Sequence, residues 1–127
     1  MSVSFFVLLL GFEIKHFVAD YLLQTGAMIR DKGDLRAFGG YAHAGVHVLG
    51  SAVVLLIARV PVIAAALLLV SEFVARYAID FAKAKYGRGV DPDRQAKLFW
   101  GQHGFDQLLH QLTYAAMIYF ALRALAG

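Results

Sequence analysis

Long apolar runs alternate along this chain with short polar stretches, and the polar stretches fall at corresponding places on the runs. Val3 to Phe12 is apolar apart from Ser4 and Gly11. Continued as a helix to Gln24, this segment is roughly 33 Å long, enough to cross a bilayer. It nevertheless carries Glu13, His16, Asp20 and Gln24 at steps of three, four and four, which places them within an arc of about 80° on one face. A first span is therefore expected over about 3–25, with Gly26 as its stop. A second, about 41–59, opens on His43 and His47 and is then aliphatic. Pro61 suits the first position of a third span, about 61–83, and so few residues separate the two that they should form a tight antiparallel pair. That third span ends in Glu72, Arg76, Asp80 and Lys83, again on one face. The fourth, about 103–126, begins with His103, Asp106, Gln107 and His110.

The connections have patterns of their own. Between the first two spans, 27–40 is polar, although its Met28, Ile29, Leu35 and Phe38 suit a membrane surface. Asp91-Pro92-Asp93 is a helix-start signal, so a short interfacial helix is expected from Asp93 to Trp100, with Trp100 at headgroup level and Gly101 and Gly104 permitting a bend before the fourth span.

Composition agrees with this pattern. The chain of 127 residues is 60% hydrophobic and 17% charged, above the apolar share of ordinary soluble domains. A soluble bundle is the competing reading, and it would have to bury several windows of about 20 residues on every face. The expected fold is all-α: one integral membrane domain over 1–127, a four-transmembrane-helix antiparallel bundle with the short interfacial helix before helix 4. The N-terminal run lacks a basic flank and a small-residue cleavage site, so it reads as retained. No internal repeat is evident. With no cysteine, disulfides and thiolate metal sites are excluded. The formal charge of +3 comes from basic residues clustered in loops, and no nucleic-acid motif accompanies it.

Arg30, Lys32, Arg36, Lys83, Lys85, Arg88, Arg94 and Lys97 all fall on the side reached by the first and third loops, against Arg59 and Arg123 on the other. Lys/Arg-rich short loops stay in the cytoplasm, so loops 1 and 3 are expected there with both termini outward. In an up-and-down bundle the four polar faces then lie at one depth, toward the cytoplasm.

Three pairs in this layer, His16 with Asp20, His43 with His47, and Asp106 with His110, have i,i+4 spacing, which puts two donors on one helix face. Neutral imidazole and carboxylate suit a divalent transition metal such as zinc, manganese or iron. With Asp80 the set is His16, Asp20, His43, His47, Asp80, Asp106 and His110, more than one tetrahedral ion needs, so one or two ions are expected. Gln24, Gln107, Lys32 and Lys83 are placed to orient ligands or meet an anion. Each histidine by itself is more often a hydrogen-bonded packing residue than a ligand, and it is the matched depth of the set that favours a metal site. Glu72, Arg76 and Asp80 at steps of four offer an ion-pair ladder internal to one helix as the alternative, and it is the reading preferred for Glu72 and Arg76. Lys15 points away from Glu13 and reads as an interfacial snorkel without chemistry, and His103 stands before the apolar run, where a solvated helix end and a site residue are both open.

The order His16-x3-Asp20-Tyr-x2-Gln24, Lys32, His43-x3-His47, Asp80-x2-Lys83, Asp106-Gln107-x2-His110 resembles a family of small bacterial inner-membrane proteins, domain-of-unknown-function family 3307. The resemblance covers nearly the whole chain and implies a multi-pass protein of the bacterial inner membrane. That family often has histidine one turn before the helix 3 aspartate, where this chain has Arg76, which removes one potential ligand. Loosely similar His/Asp-rich membrane proteins are metal-dependent hydrolases, so the resemblance implies a metal site without a reaction.

Three functions fit these residues. The first is a membrane-embedded metal-dependent hydrolase acting on a phosphoester or lipid headgroup at the cytoplasmic leaflet, with Asp20, Asp80, Asp106 and Lys83 in catalysis and Lys32 beside the phosphate. The second is a metal-ion or proton transporter or relay subunit, disfavoured because polar positions thin out toward the outer half. The third is a non-enzymatic scaffold with a buried polar network.

Overall fold

In the structure, a computed structural model that describes residues 2–86 and 97–127, every regular element is helical. Helix α1, Val3–Phe17, starts where the Ser2 hydroxyl accepts the Phe5 amide at 3.2 Å, the side-chain cap expected of serine. It does not run on as an α-helix to Thr25. Val18–Leu22 is a π-helical turn in which the Leu23 amide reaches back to the Val18 carbonyl at 3.0 Å. Such i→i+5 turns are rare and concentrate at functional sites. The stretch expected to be a plain polar loop contains a short helix α2, Gly26–Asp31, capped by Thr25.

Helix α3, Phe38–Ile57, begins three residues before the expected Tyr41. Asp31 explains the difference: its Oδ2 accepts the Gly39 amide at 2.8 Å and caps α3 from outside. A Cβ at Gly39 would lie 2.5 Å from that same oxygen, so the cap requires glycine. Helix α3 ends with the Val60 amide on the Leu55 carbonyl and the Arg59 amide on the Leu56 carbonyl, each at 3.0 Å, the paired bonds of a Schellman stop. Arg59 takes the left-handed position, with φ 60, and Pro61 prevents continuation. The expected tight pair with α4, Val62–Tyr86, follows directly.

The last helix, α5, runs from Lys97 to Leu125. Lys97 to Trp100, expected in a separate interfacial helix, form its first turn, and the chain passes Gly101 and Gly104 without leaving the helix. Glycine lowers helix propensity by only about 1 kcal/mol, which the surrounding turns absorb. Asp91-Pro92-Asp93, Arg88 and Arg94 lie outside the described residues.

The four long helices close into a ring, α1 against α3, α3 against α4, α4 against α5 and α5 against α1, with α2 on α3. Helices α1 and α3 approach closely: a Cβ on Gly11 would sit 2.6 Å from Val54 Cγ1, and one on Gly50 3.2 Å from Lys15 Cβ. At one end the interior is apolar, built from Leu8, Phe12, Val54, Leu55, Met117 and Ile118. At the other it is polar: Lys15, His16, His43, His47, Glu72, Arg76, Asp80, Asp106 and His110 are all buried, while Leu49, Leu56, Val62 and Ile63 are at least 70% exposed.

Two helices, α3 and α4, are long and apolar enough to cross a membrane, rather than the four expected. Helix α1 is cut to 15 residues by the π turn, and α5 is long but carries Asp106, Gln107, His110 and Gln111 within its length.

Candidate functional site

Asp20 lies within the π turn, on the same side of the helix as His16 four residues before it. Asp20 then meets three imidazoles. Its Oδ1 lies 2.7 Å from His47 Nε2 and 3.2 Å from His43 Nε2, and its Oδ2 lies 3.1 Å from His16 Nε2. His43 and His47 come from the first turns of α3, as the i,i+4 spacing requires.

Asp80 on α4 and Asp106 and His110 on α5 form the facing half. His110 Nε2 lies 3.2 Å from Asp80 Oδ1 and 3.5 Å from Asp106 Oδ1. His43 joins the halves, its Nε2 being 3.7 Å from Asp80 Oδ2 as well as within reach of Asp20. All seven residues expected as metal ligands thus converge. Six of them sort into two groups, His16-Asp20-His47 and Asp80-Asp106-His110, within each of which one N or O atom per residue lies within 4.8 Å of the others, and His43 belongs to neither. Asp106 is buried, yet its Oδ1 accepts no hydrogen bond, and His43 Nδ1 is likewise without a partner among the described residues. Buried polar atoms are rarely left so.

The residues expected around this set divide. Lys83 Nζ lies 3.1 Å from Asp106 Oδ2 and Lys32 Nζ 3.8 Å from Asp80 Oδ2, so two cations from different elements reach the carboxylates. Gln107 bridges the two groups, its Oε1 3.0 Å from His16 Nε2 and its Nε2 donating to Asp106 Oδ2 at 3.1 Å. Gln24 donates to the Asp20 carbonyl at 3.2 Å, and its buried Oε1 has no hydrogen-bond partner among the described residues. His103 does not join the site; its ring packs edge-on to Trp100.

Beneath the seven lies a polar layer that reading the sequence assigned otherwise. Lys15 is buried rather than snorkelling. Its ammonium pairs with Glu72, donates to the His47 carbonyl at 3.2 Å and lies 3.3 Å from His47 Nδ1. The expected ladder within α4 is therefore absent among the described residues, since Glu72 pairs across to α1 and Arg76 donates to the Tyr114 hydroxyl. That hydroxyl lies 2.9 Å from His16 Nδ1. His16 and His47 thus each have the far ring nitrogen held by this inner layer, His47 Nδ1 as the acceptor from the Lys15 ammonium, which leaves the His47 N–H on Nε2 facing Asp20. Glu13, drawn on the same arc as His16, is instead exposed. The available signal was Lys15 itself, which shares the buried stripe with Leu8 and Phe12.

The chain matches the family described as Protein of unknown function (DUF3307) over residues 5–126, and it belongs to that family. No curated protein and no solved structure matches it.

Proposed function

We propose that this chain is a membrane-embedded, metal-dependent hydrolase of phosphoesters, working at the cytoplasmic leaflet of the bacterial inner membrane. The observation that carries the reading is the convergence of three histidines and three aspartates from α1 with its π turn, α3, α4 and α5 into two ligand groups, with His43 within reach of an aspartate of each. Imidazole and carboxylate donors on facing helices are the usual makings of a metal site in a bundle. One or two divalent transition ions, zinc, manganese or iron, would be held by His16, Asp20, His43, His47, Asp80, Asp106 and His110. Such an ion supplies Lewis acidity toward a phosphoryl oxygen and activation of water.

The remaining roles belong to the chain. Lys83 and Lys32 face the carboxylates and are placed to take the negative oxygens of a phosphate. In hydrolysis the oxygen of water joins phosphorus, the phosphorus–oxygen ester bond breaks, and a proton reaches the departing alcohol. The aspartates supply the nearby carboxylates through which that proton passes, and Gln107 holds His16 and Asp106 in register.

Membrane integration is supported by the distribution of residues: most charges of the helices inside, Glu13 excepted, and exposed Leu, Val, Ile and Phe outside. In water both halves of that arrangement are costly, whereas in lipid buried ionisable groups mark functional sites. We read the bundle as four crossings, with the helix ends bearing Lys32 and Lys83 in the cytoplasm.

A scaffold without an ion is favoured by one observation, that Lys15, Lys32 and Lys83 already pair with carboxylates. Transport is opposed by the apolar plug of Leu8, Phe12, Val54, Leu55 and Met117. Elemental analysis of purified protein, coupled to release of alcohol or phosphate from a panel of phosphoesters, separates the readings. The hydrolase requires stoichiometric transition metal and activity that a chelator abolishes. Metal-free, inactive protein with an intact fold would leave the scaffold, and metal or proton flux into proteoliposomes lost in Asp20→Asn would establish transport.

A further inference from the structure

We infer that the substrate is an amphiphile, with its hydrocarbon chain lying in a groove between α4 and α5 and its phosphate at the site; this rests on the hydrolase reading above. A groove of about 410 Å³ opens between these helices, walled by Ala78, Ile79, Ala82, Phe105 and Leu109. Its lining also includes Lys83 and Asp106, the ion pair at 3.1 Å on the margin of the seven-residue site, with the Lys83 side chain 40% exposed. An apolar channel is thus continuous with a cation that is free on one side to meet an anion.

A second groove, of about 480 Å³, shares Ile79 and Leu109 with the first and continues past Ala75 and Leu112 to Leu68 and Phe120. Together they make one track that starts at the charged end of the bundle and runs toward its apolar end. From Lys83 to Leu68 along α4 it measures roughly 22 Å at the helical rise, against about 15 Å for half of the hydrocarbon core. The polarity has the sense a lipid of the cytoplasmic leaflet needs, headgroup at the Lys83 end and chain toward the bilayer centre. A soluble phosphoester would make no use of the track.

The test is photolabelling in phosphatidylcholine nanodiscs with a diazirine-bearing hexadecyl phosphate, followed by peptide mapping. The inference expects labels on Ile79, Leu109 and Leu112, competed by hexadecyl phosphate but not by hexadecanol or butyl phosphate. Ala78→Trp, which fills the groove, should lower that labelling about tenfold, as a modest loss of packing does. Val74→Trp, exposed on α4 and outside both grooves, should leave it unchanged and controls for folding. Labels spread evenly over the lipid-facing helices, or competed equally by hexadecanol, would overturn the inference in favour of ordinary boundary lipid. The two readings fail separately. Groove labelling in protein that binds no transition metal removes the hydrolase and keeps the groove; metal-dependent turnover that is equal for butyl and hexadecyl phosphoesters keeps the hydrolase and removes the groove.

Discussion

Asp20→Asn is the sharpest perturbation of the site, because one carboxylate there meets three imidazoles at 2.7, 3.1 and 3.2 Å. The substitution keeps shape and volume, removes the charge, and sets an amide donor where one oxygen accepted. Hydrogen bonds to a charged group contribute about 1.5–3 kcal/mol against about 1 for neutral pairs, so a deficit near 1 kcal/mol at each contact sums to roughly 3 kcal/mol. If the carboxylate is a ligand, a similar loss in ion affinity is about a hundredfold in Kd. The assay is competition for zinc and manganese against a chromophoric chelator in detergent, with elemental analysis after gel filtration and helicity by circular dichroism. Asp80→Asn is the companion. Two separate ions predict that each variant keeps the ion of the other group, whereas a single shared ion predicts that both lose it. Folded Asp20→Asn protein binding both metals with unchanged affinity would refute the ligand assignment.

Other expectations concern what holds the site in place. Lys15→Met strands the fully buried Glu72 carboxylate and should cost about 3–5 kcal/mol in unfolding experiments, with Lys15→Met/Glu72→Gln recovering most of it; no recovery would mean that Lys15 acts through packing instead. Gly11→Leu drives a side chain into Val54, which a Cβ alone would approach to 2.6 Å, and should destabilise by roughly 1–3 kcal/mol while weakening metal binding, because α1 carries His16 and Asp20; unchanged thermal unfolding would count against close α1–α3 packing. Arg59→Gly relieves a left-handed residue at φ 60 and should stabilise by about 1 kcal/mol, raising Tm by roughly 4 °C; a fall in Tm would show that the Arg59 side chain is itself stabilising.

Periodicity and depth carried the site further than they carried the elements. Four polar faces at matching ends of successive helices can meet only if the chain runs up and down, and the seven side chains do meet. What sequence periodicity could not supply was the phase of α1. Glu13, His16, Asp20 and Gln24 make a regular arc, but so do Leu8, Phe12, Lys15 and Ala19, and the two overlap near His16. The apolar members of the second arc decide, since burying Leu8 and Phe12 turns Lys15 inward and Glu13 outward. Asp20 falls in a π turn, which no residue pattern announces. Glu72 and Arg76 misled for a related reason: i,i+4 spacing makes a pair possible on one helix, but partners across the bundle, Lys15 and Tyr114, compete for the same groups and win once water is excluded.

The charge of the interior limits what the site can accept. Lys15, Lys32, Arg76 and Lys83 face Asp20, Glu72, Asp80 and Asp106, so, leaving the imidazoles aside, this set of side chains is neutral before any ion enters. A divalent cation leaves it with an excess of two positive charges, and two such cations with four, in surroundings where an unbalanced charge is expensive. The excess can be relieved by moving Lys32 and Lys83 off their carboxylates, which their partial exposure allows, or by admitting an anion. Lys15 and Arg76 have no such freedom, because both are buried. Metal and anionic substrate should therefore bind with mutual reinforcement: inorganic phosphate should raise zinc or manganese affinity, and by linkage metal should raise phosphate affinity by the same factor. Titration of metal at several phosphate concentrations measures that factor, and the lysines give it a signature. Replacing Lys83 with Met should strengthen metal binding in the absence of phosphate, since a competing cation is gone from Asp106, and should diminish the reinforcement by phosphate. Metal affinity indifferent to phosphate in both proteins would mean that the paired lysines, and not a substrate anion, complete the charge balance.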